Sequence, residues 1–319
     1  MTRYIVRRLV LAVVVVLLVT VVTFVLLHLL PGGPARGVLG VKATPEQIAR
    51  FNHDQGFDQP LPVQFWDYLV RLCSGDLGDS YTQNSPVSAL LAERLPKTLL
   101  LTVLSTLLAI VVALPLGVWQ AVRRGRAVDH VTTTITFLLY ATPVFFLSLV
   151  LIILFAQVLP WFPAQAAQGE TVGALLSQPG SLVLPVIAGT GAALAAFSRY
   201  MRASTLDNLS EDYVRTARAK GTPERTIIWQ HVWPNSLTSV VSMLGYYVPV
   251  VFSGSLVIES MFNYPGVGLL FWNAARNADF PVLLGVVLVV AVATVVGSLL
   301  ADLVQLAIDP RVRVKGARS

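Results

Sequence analysis

The chain has 319 residues, of which 55% are hydrophobic and 13% are charged, and its mean hydropathy is +0.70. Apolar runs of bilayer length recur along it, which excludes a soluble globule with one core and indicates an integral membrane protein. A formal net charge of +6 could indicate a nucleic-acid partner, but in membrane proteins basic residues gather on cytoplasmic loops. The single cysteine, Cys73, excludes an internal disulfide and a multi-cysteine cluster, and it is interpreted as a small packing residue.

The first apolar run extends from Leu9 to Leu30 and follows three arginines. It is longer than a typical signal-peptide core, and PGGP follows it in place of a cleavage site, so it is predicted to be a retained first span. Residues 31–97 lose the apolar period and predict an ordered insertion outside the membrane. Within this insertion, Trp66 and Tyr68 suit an interfacial helix.

Five further apolar runs are each long enough to cross about 30 Å of hydrocarbon with some tilt. Pro115 and Pro143 lie inside two of them and predict kinks in a packed bundle. The fourth of the six runs is crowded with small residues, which permit close packing of helices, so it is predicted to be central. Six spans place both termini on one side. The five runs are Thr98 to Ala121, Val131 to Leu159, Leu182 to Tyr200, Val240 to Met261 and Val282 to Ile308.

The distribution of basic residues tests this topology. Sixteen of the 23 lysines and arginines lie on the side predicted to be inner, and seven lie on the other side. Because loops next to spans are enriched in basic residues on the cytoplasmic side, both termini are predicted to be cytoplasmic. The basic charge then needs no nucleic-acid partner, and none is predicted.

Residues 201–234 form a long inner loop whose sequence predicts two helices joined by a turn. Ser210 is a candidate N-cap, acidic residues follow it, and basic residues precede Gly221 at the C′ position, as the helix dipole favours. Thr222 is a candidate cap of the second helix, with Pro223 at its first position. The loop is either a solvated connector or a docking element for a soluble partner, and periodicity leaves both interpretations open.

The stretch RTARAKGTPERTIIWQHVWPN, which begins at Arg215, resembles the EAA loop of ABC importer permeases. Gly221 stands at the glycine of that pattern, His231 at the isoleucine, and Trp233 with Pro234 at Leu-Pro. Arg215 stands in place of the glutamate, and RTARAKG looks like the version in peptide-importer permeases. The resemblance implies a coupling helix that sits in a groove of an ATP-binding subunit. Its implied residues are Tyr213, Arg215, Thr216, Ala217, Arg218, Ala219, Lys220, Gly221, Thr222, Pro223 and Glu224.

The resemblance extends over essentially the whole chain, through RYIVRRL with LLPGGPA, DQPLPVQFWDYL, GDLGDSY, RLPKTLLL, VIESMFNYPGVGLLFWNAARNADFPVL and LADLVQLAIDPRVR. These fragments look like the B-type permease of dipeptide and oligopeptide importers, although Gly33 stands where that family usually has Asp. The resemblance implies a type I importer permease fold with six transmembrane helices in one domain, 1–319, with a periplasmic insertion at 31–97 and a core at 98–308. It also implies a homologous second permease, one or two ABC ATPase subunits and an extracytoplasmic binding protein, at the bacterial plasma (inner) membrane.

The segment SMFNYPGVGLLFWNAARNADFP fits either an ordinary interspan loop or a re-entrant, scoop-like element. Its prolines and glycines break the helix, while Phe262, Tyr264, Phe271 and Trp272 can anchor at the membrane interface. The resemblance favours a periplasmic gate that contacts the binding protein. The implied residues are Glu259, Phe262, Tyr264, Pro265, Gly266, Gly268 and Trp272.

Other functional classes fit the sequence less well. Glu259 and Asp302 lie near predicted span ends, where hydration or pairing is expected, and His28 is interpreted as an isolated, hydrogen-bonded histidine. An intramembrane enzyme would need a nucleophile with a base or a metal set, which the four isolated histidines do not supply. An ion-coupled secondary transporter would show paired mid-membrane charges or broken-helix repeats, which we do not find.

The energy source must lie outside this chain. The order G-x-x-x-x-G-K-[ST] is missing, so the chain is predicted to bind no cofactor, and partner subunits would use ATP-Mg. The sequence therefore predicts a non-catalytic permease for di- or oligopeptides. Nickel and oligosaccharides are alternative cargoes of the same importer class.

Overall fold

The computed structural model describes residues 2–29, 35, 38–40, 43–253 and 256–308. Within these residues the fold is all-helical, and the one extended pairing is an isolated bridge between Asp79 and Pro86. In chain order the described helices are α1 (Thr2–His28), α2 (Pro45–Asp54), α3 (Leu61–Cys73), α4 (Val87–Val122), α5 (Ala127–Ala141), α6 (Val144–Ile152), α7 (Val172–Leu176), α8 (Gly180–Leu209), α9 (Asp212–Ala219), α10 (Glu224–Thr226), α11 (Trp233–Ser253), α12 (Leu256–Met261), α13 (Val267–Arg276) and α14 (Phe280–Ile308).

The described helices confirm the predicted all-α membrane class. By length and apolar composition α4, α8 and the part of α14 over Phe280–Leu300 can each cross a membrane. The pair α5 and α6, extended by a π-helical turn over Ile153–Val158, passes the same test together but is bent by 104°. The described part of the chain therefore shows three spans, or four when the bent pair is counted as one.

Several predicted boundaries differ from the structure. The predicted third span breaks at Thr142, whose backbone is extended because Pro143 follows it, so the expected kink is a sharp bend. The predicted second span begins earlier: α4 starts at Val87, and residues 87–97 of the predicted insertion are helical although polar side chains hide the apolar period. The predicted fifth span is divided between α11 and α12. PGGP, Gly33 and the basic tail after Pro310 lie outside the described residues.

Helix α8 is central, as predicted from its small residues, and its most extensive contact is with α4. The two helices run parallel, because Gly189 of α8 approaches Ser105 of α4 and, further toward the C-terminus of both helices, Met201 approaches Gly117. A Cβ at Gly117 would lie 2.7 Å from that of Met201, so only glycine permits this contact. We name the end of the bundle at the N-termini of α4 and α8 the hairpin end, and the opposite end the loop end.

The segment between α1 and α4 packs on α1 at the hairpin end. His28 Nε2 lies 2.9 Å from Gln64 Oε1 and Nδ1 lies 2.8 Å from the Phe24 carbonyl, which confirms the interpretation of a satisfied histidine. Helix α3 turns Tyr68 inward, so the expected interfacial position applies only to Trp66, which is 66% exposed. The interpretation of Cys73 as a packing residue is wrong, because it lies on the Trp66 face of α3 and is exposed.

Candidate functional site

The predicted coupling turn begins with a capped helix. Helix α9 ends in a Schellman motif: Gly221 N donates to the Arg218 carbonyl at 2.9 Å, and Thr222 N donates to the Ala217 carbonyl at 3.1 Å. Gly221 has a φ of +75°, the left-handed conformation that glycine adopts without a steric penalty. The predicted C′ glycine is therefore confirmed, but the helix covers Asp212–Ala219 rather than continuing to Glu224.

The two predicted N-caps of this loop are wrong. Ser210 closes the preceding helix, since its Oγ donates to the Asp207 carbonyl at 2.7 Å, and Glu211 holds the N-cap position of α9. Pro223, not Thr222, precedes α10. A proline is favoured there because the first N–H groups of a helix have no intrahelical acceptor.

A small apolar core supports α9 from beneath. Val214, Ile227 and Val232 are fully buried, and Tyr213 and Ala217 pack against them. Tyr213 Oη also donates to Asn208 Oδ1 at 2.8 Å, which joins α9 to the end of α8. Two of the predicted coupling residues therefore hold the helix in place, and the outward surface is formed by others.

The outward surface of the turn is polar and basic. Arg215, Thr216, Ala219 and Lys220 are exposed, as is Arg218. Arg215 Nη1 lies 3.2 Å from Asp212 Oδ1 within the same helix. This surface can accept a carboxylate-bearing partner without rearranging the core beneath it.

An exposed ion pair closes the turn around Gly221. Arg218 Nε donates to Glu224 Oε1 at 2.6 Å, and Nη2 donates to Oε2 at 3.3 Å. The hydrogen bond to Glu224 raises the pKa of Arg218, so the guanidinium stays charged at neutral pH. The pair joins α9 to α10 without burying either charge.

A π-helical turn over Ile227–Val232 links α10 to α11. It precedes Pro234, whose ring removes a backbone donor and crowds the preceding turn. The Asn235 side chain donates to the His231 carbonyl at 2.7 Å and satisfies one of the exposed acceptors. The predicted His231 and Trp233-Pro234 positions thus mark the widened entry into α11.

At the opposite end, a buried carboxylate organises the hairpin formed by α12, the turn over 262–266 and α13. Glu259 is completely buried, and its Oε2 accepts from Gly268 N at 2.7 Å and from Leu269 N at 3.2 Å. Thr98 Oγ1 donates to Glu259 Oε1 at 2.9 Å and accepts from Val267 N at 2.8 Å. Glu259 was expected to be hydrated or paired, and the hydration alternative is wrong. The carboxylate is paired through these hydrogen bonds, which cap the N-terminus of α13 and tie it to α4. The side chain of Asp302 lies outside the described part.

Two predicted glycines allow α13 to lie this close to Glu259 and to α12. A Cβ at Gly266 would collide with the Glu259 carboxylate and with Thr98 Oγ1. A Cβ at Gly268 would lie 2.7 Å from the Leu256 Cα. Any side chain at either position would separate α13 from α12 and from the cap.

The turn points into the bundle. Phe262 and Tyr264 are fully buried, so their prediction as membrane-interface anchors is wrong; Trp272 is 45% exposed and Phe271 is partly buried. Tyr264 Oη donates to the Lys97 carbonyl at 2.5 Å, and the Phe262 carbonyl accepts from Ala166 N at 2.8 Å. Pro265 is also buried, so the turn belongs to the packed interior of this end.

A second buried carboxylate, which the sequence analysis missed, fastens the far end of α13. Asp279 Oδ2 accepts from Ser80 Oγ at 2.5 Å and from Thr82 Oγ1 at 2.8 Å, and Oδ1 accepts from Tyr81 N at 3.2 Å. Asp279 thus joins the hairpin to the segment before α4. The acidic residue between Ala278 and Phe280 was a signal, since a charge at the start of an apolar run needs partners.

The structure brings each predicted set together at its own end of the bundle. Glu259, Gly266 and Gly268 meet directly, together with Thr98, which the sequence analysis did not single out because a threonine at a span start is common. The contribution of Val214 was equally hidden, because one apolar residue in a polar loop has no periodicity. The predicted residues Tyr213 to Glu224 form one continuous turn.

Comparisons with known proteins agree along the whole chain. Residues 113–314 match the family described as "Binding-protein-dependent transport system inner membrane component", and residues 1–102 match its N-terminal counterpart, "Binding-prot-dependent transport system membrane comp, N-term". The chain is 35% identical to the oligopeptide transport system permease protein AppB of Bacillus subtilis over 98% of this chain and 99% of that protein.

Two further relatives have similar coverage. The glutathione transport system permease protein GsiC of Salmonella choleraesuis is 36% identical over 99% of this chain and 100% of its own length. A putative peptide permease protein of Brucella suis is 35% identical over 98% of this chain and 100% of its own length. The chain therefore belongs to the family of binding-protein-dependent transport system inner membrane components.

Proposed function

We propose that this chain is the permease subunit of an ATP-driven importer and forms half of the pathway through which peptides cross the membrane. The relatives named above, which span the chain from end to end, are permeases of oligopeptide and glutathione transport systems or a putative peptide permease. A di- or oligopeptide is the cargo that these names share as a chemical class. The chain performs no hydrolysis itself and binds no nucleotide; partner subunits bind ATP-Mg.

The proposed topology has six spans, with both termini and the loop end in the cytoplasm. In this arrangement α1, α4 from Thr98 onward, the bent pair α5 and α6, α8, α11 and α14 cross the membrane. Residues 31–97, which include the first turns of α4, lie outside. The bias of basic residues toward the loop end supports this orientation. The chain then forms one permease domain over 1–319.

One observation carries the proposal: buried apolar residues hold one side of the turn around Gly221, and its other side exposes a basic surface to solvent. The Schellman motif and the buried core of Val214, Ile227 and Val232 hold α9, while its basic face is exposed. An element that transmits motion from another subunit needs this combination, because a flexible connector would absorb the movement. We therefore assign Tyr213 to Glu224 to docking on an ABC ATPase subunit.

At the hairpin end, the proposal assigns Glu259 and the turn over 262–266 to the periplasmic gate. The buried contacts of this hairpin to Thr98 and Lys97 make it move with α4. Trp272 is exposed on α13 and is the predicted contact for a substrate-loaded binding protein. A homologous second permease would complete the pathway.

Affinity purification from native membranes in mild detergent tests the assembly. We expect a homologous permease and one or two P-loop ATPases to co-purify, and ATPase activity and peptide uptake to depend on the binding protein. A chain that purifies alone and supports uptake driven by an ion gradient would contradict the proposal.

The sole cysteine offers a direct test of orientation, because Cys73 is exposed on α3. We expect a membrane-impermeant maleimide to label intact spheroplasts at Cys73 and to label sealed inside-out vesicles only after permeabilisation. A Cys73→Ser chain is the control for labelling of other proteins. Labelling restricted to the inside-out vesicles would reverse the proposed topology.

A further inference from the structure

A large cleft lies at the hairpin end, apart from the hairpin turn and from the loop around Gly221. It has a volume of about 780 Å³ and is enclosed by α2, α3, residues 76–84 and the adjoining ends of α1 and α14. Small-ligand sites have volumes of about 300–1,000 Å³. The cleft is therefore large enough for a molecule the size of a short peptide.

Aromatic side chains form part of its wall. The ring centroids of Phe51 and Phe57 lie 6.3 Å apart, Phe57 lies 6.3 Å from Phe280, and Phe51 lies 5.5 Å from Tyr81. All four residues line the cleft. Such a wall can bury an apolar or aromatic side chain of a ligand.

Two hydrogen-bond donors on α3, the side chains of Tyr68 and Arg71, line the cleft without a partner among the described residues. Tyr68 is 7% exposed and lines the cleft, and its hydroxyl has no hydrogen-bond partner among the described residues. Arg71, one helical turn further, also lines the cleft and forms no ion pair within the described part of the chain. A buried hydroxyl without a partner is costly, so these donors suit an acceptor that the described residues do not supply.

The positive charge of Arg71 acts on the hydroxyl groups of Tyr68 and Tyr81. Burial raises the pKa of Tyr68 to about 12 and also raises that of Tyr81, while the nearby Arg71 partly opposes both shifts. Both phenols therefore remain protonated donors at neutral pH. A carboxylate between Arg71 and Tyr68 would receive a charge-assisted hydrogen bond and would satisfy the buried hydroxyl.

Carboxylates surround the same cleft. Exposed aspartates at positions 54, 67, 76 and 79 line it. Its two histidines already have partners: His53 lies 2.9 Å from Asp58, and His28 lies 2.9 Å from Gln64. The cleft thus combines one unpaired guanidinium with several carboxylates that can receive an ammonium group. A ligand with both charges fits this distribution better than a simple anion.

We propose that this cleft is a binding site for a short peptide with free ends, whose carboxylate is held by Arg71 and Tyr68. The aspartates attract its ammonium group, and the aromatic wall holds an apolar side chain. The inference rests on the proposed peptide transport and adds a site that belongs to the permease itself rather than to the binding protein. Peptide held here would lie beside the N-terminal end of α14, close to the hairpin that the hydrogen bonds of Asp279 join to residues 80–82.

The test uses the purified transporter complex in nanodiscs without its binding protein, and calorimetric titration with the tripeptide Ala-Phe-Ala. The same peptide with an amidated C-terminus lacks the carboxylate. We expect Arg71→Gln to weaken binding of the free acid about tenfold or more, since hydrogen bonds to charged groups contribute that much, and to leave the amide unchanged. Arg276→Gln, which changes an exposed arginine outside the cleft lining, should alter neither.

A second variant separates binding from folding. Tyr68→Phe removes only a hydroxyl without a partner, so we expect the thermal midpoint of the free complex to stay unchanged or to rise while affinity for the free acid falls. Equal affinity of wild type and Arg71→Gln for the free acid, or an equal loss for acid and amide, would overturn the site. So would the absence of measurable binding to the wild-type complex.

Uptake of the same tripeptide by cells distinguishes the two proposals. Uptake without binding in the cleft would overturn this site and leave peptide transport standing. Binding that depends on Arg71, in a complex that transports no peptide in cells, would support the site and contradict the proposed cargo.

Discussion

The turn around Gly221 and the turn around Gly266 are both short connections between helices, yet opposite arrangements hold them. At the loop end, apolar residues are buried beneath α9 and the polar contacts, such as Arg218 to Glu224, are exposed. At the hairpin end the polar contacts themselves are buried, with Glu259 completely inaccessible to solvent. The first arrangement leaves a charged surface open, and the second joins the turn firmly to its neighbours.

This difference has an energetic consequence. An exposed ion pair contributes about 0–1 kcal/mol, whereas breaking a buried hydrogen-bonded charge costs about 3–5 kcal/mol. The loop end can therefore exchange its surface contacts for those of a partner at little cost. The hairpin can move only together with α4 and with the segment that Asp279 holds.

The largest expected effect comes from removing the buried carboxylate of the hairpin. Glu259→Ala leaves two backbone N–H groups of α13 and the Thr98 hydroxyl without their acceptor. We expect the free energy of unfolding, measured by denaturant titration in mixed micelles, to fall by about 3 kcal/mol or more, and uptake to be lost.

Two variants provide the controls for Glu259→Ala. Glu259→Gln keeps one carbonyl oxygen and should lose less stability than the alanine variant. Glu170→Ala changes an exposed carboxylate near the same end and should have little effect. Equal stability of Glu259→Ala and wild type would show that the carboxylate does not hold the hairpin.

The second carboxylate of this end should give a smaller loss. Asp279→Asn retains one carbonyl oxygen but turns an NH₂ group toward donors from Ser80, Tyr81 and Thr82. We expect a loss of about 2 kcal/mol and faster proteolysis within residues 76–84, because the segment is released from α13. Asp76→Asn, which affects a single hydrogen bond to Gly78 N, is the matched control and should be cut at the wild-type rate.

Much of the fold could be predicted because bilayer-length apolar runs and small residues specify helices and their close contacts. The central position of α8 and the left-handed Gly221 followed from residue types alone. The break at Thr142 was expected at the right place, since proline restricts the residue before it, but its angle depends on packing against distant helices.

The missed features share one physical cause: they depend on contacts between residues far apart in the chain. Thr98 and Glu259 are 161 positions apart, and Ser80 and Asp279 are 199 apart. A single sequence can indicate that such a charge needs partners, but not which distant residues supply them. The prediction of Tyr264 as a membrane-interface anchor was wrong for the same reason: composition favoured the interface, whereas contacts with distant residues bury the side chain.

At the loop end, we expect an intermediate effect from the backbone conformation of Gly221. A Cβ there meets no atom within 4 Å, so any penalty of a substitution arises from its φ of +75°. Gly221→Val should cost about 1–2 kcal/mol or shift the turn, because a β-branched residue avoids this region, whereas Gly221→Asn should be tolerated.

The measurement for Gly221 is ATPase stimulation by the loaded binding protein in the purified complex. We expect Gly221→Val to insert in the membrane normally but to lose stimulation and part of its co-purifying ATPase. Gly221→Asn should retain both. Normal transport by the valine variant would exclude this turn as the docking element.

The smallest effect belongs to the exposed pair at the same turn. Arg218→Gln removes both hydrogen bonds to Glu224, but these side chains are 45% and 59% exposed, so the loss of stability should be at most about 1 kcal/mol and should shrink further at 1 M salt. If Arg218 instead contacts the ATPase, the variant will weaken co-purification far more than it weakens folding. A stability loss as large as that of Glu259→Ala would remove the contrast between the two ends, because it would mean that exposed and buried polar contacts hold their turns equally.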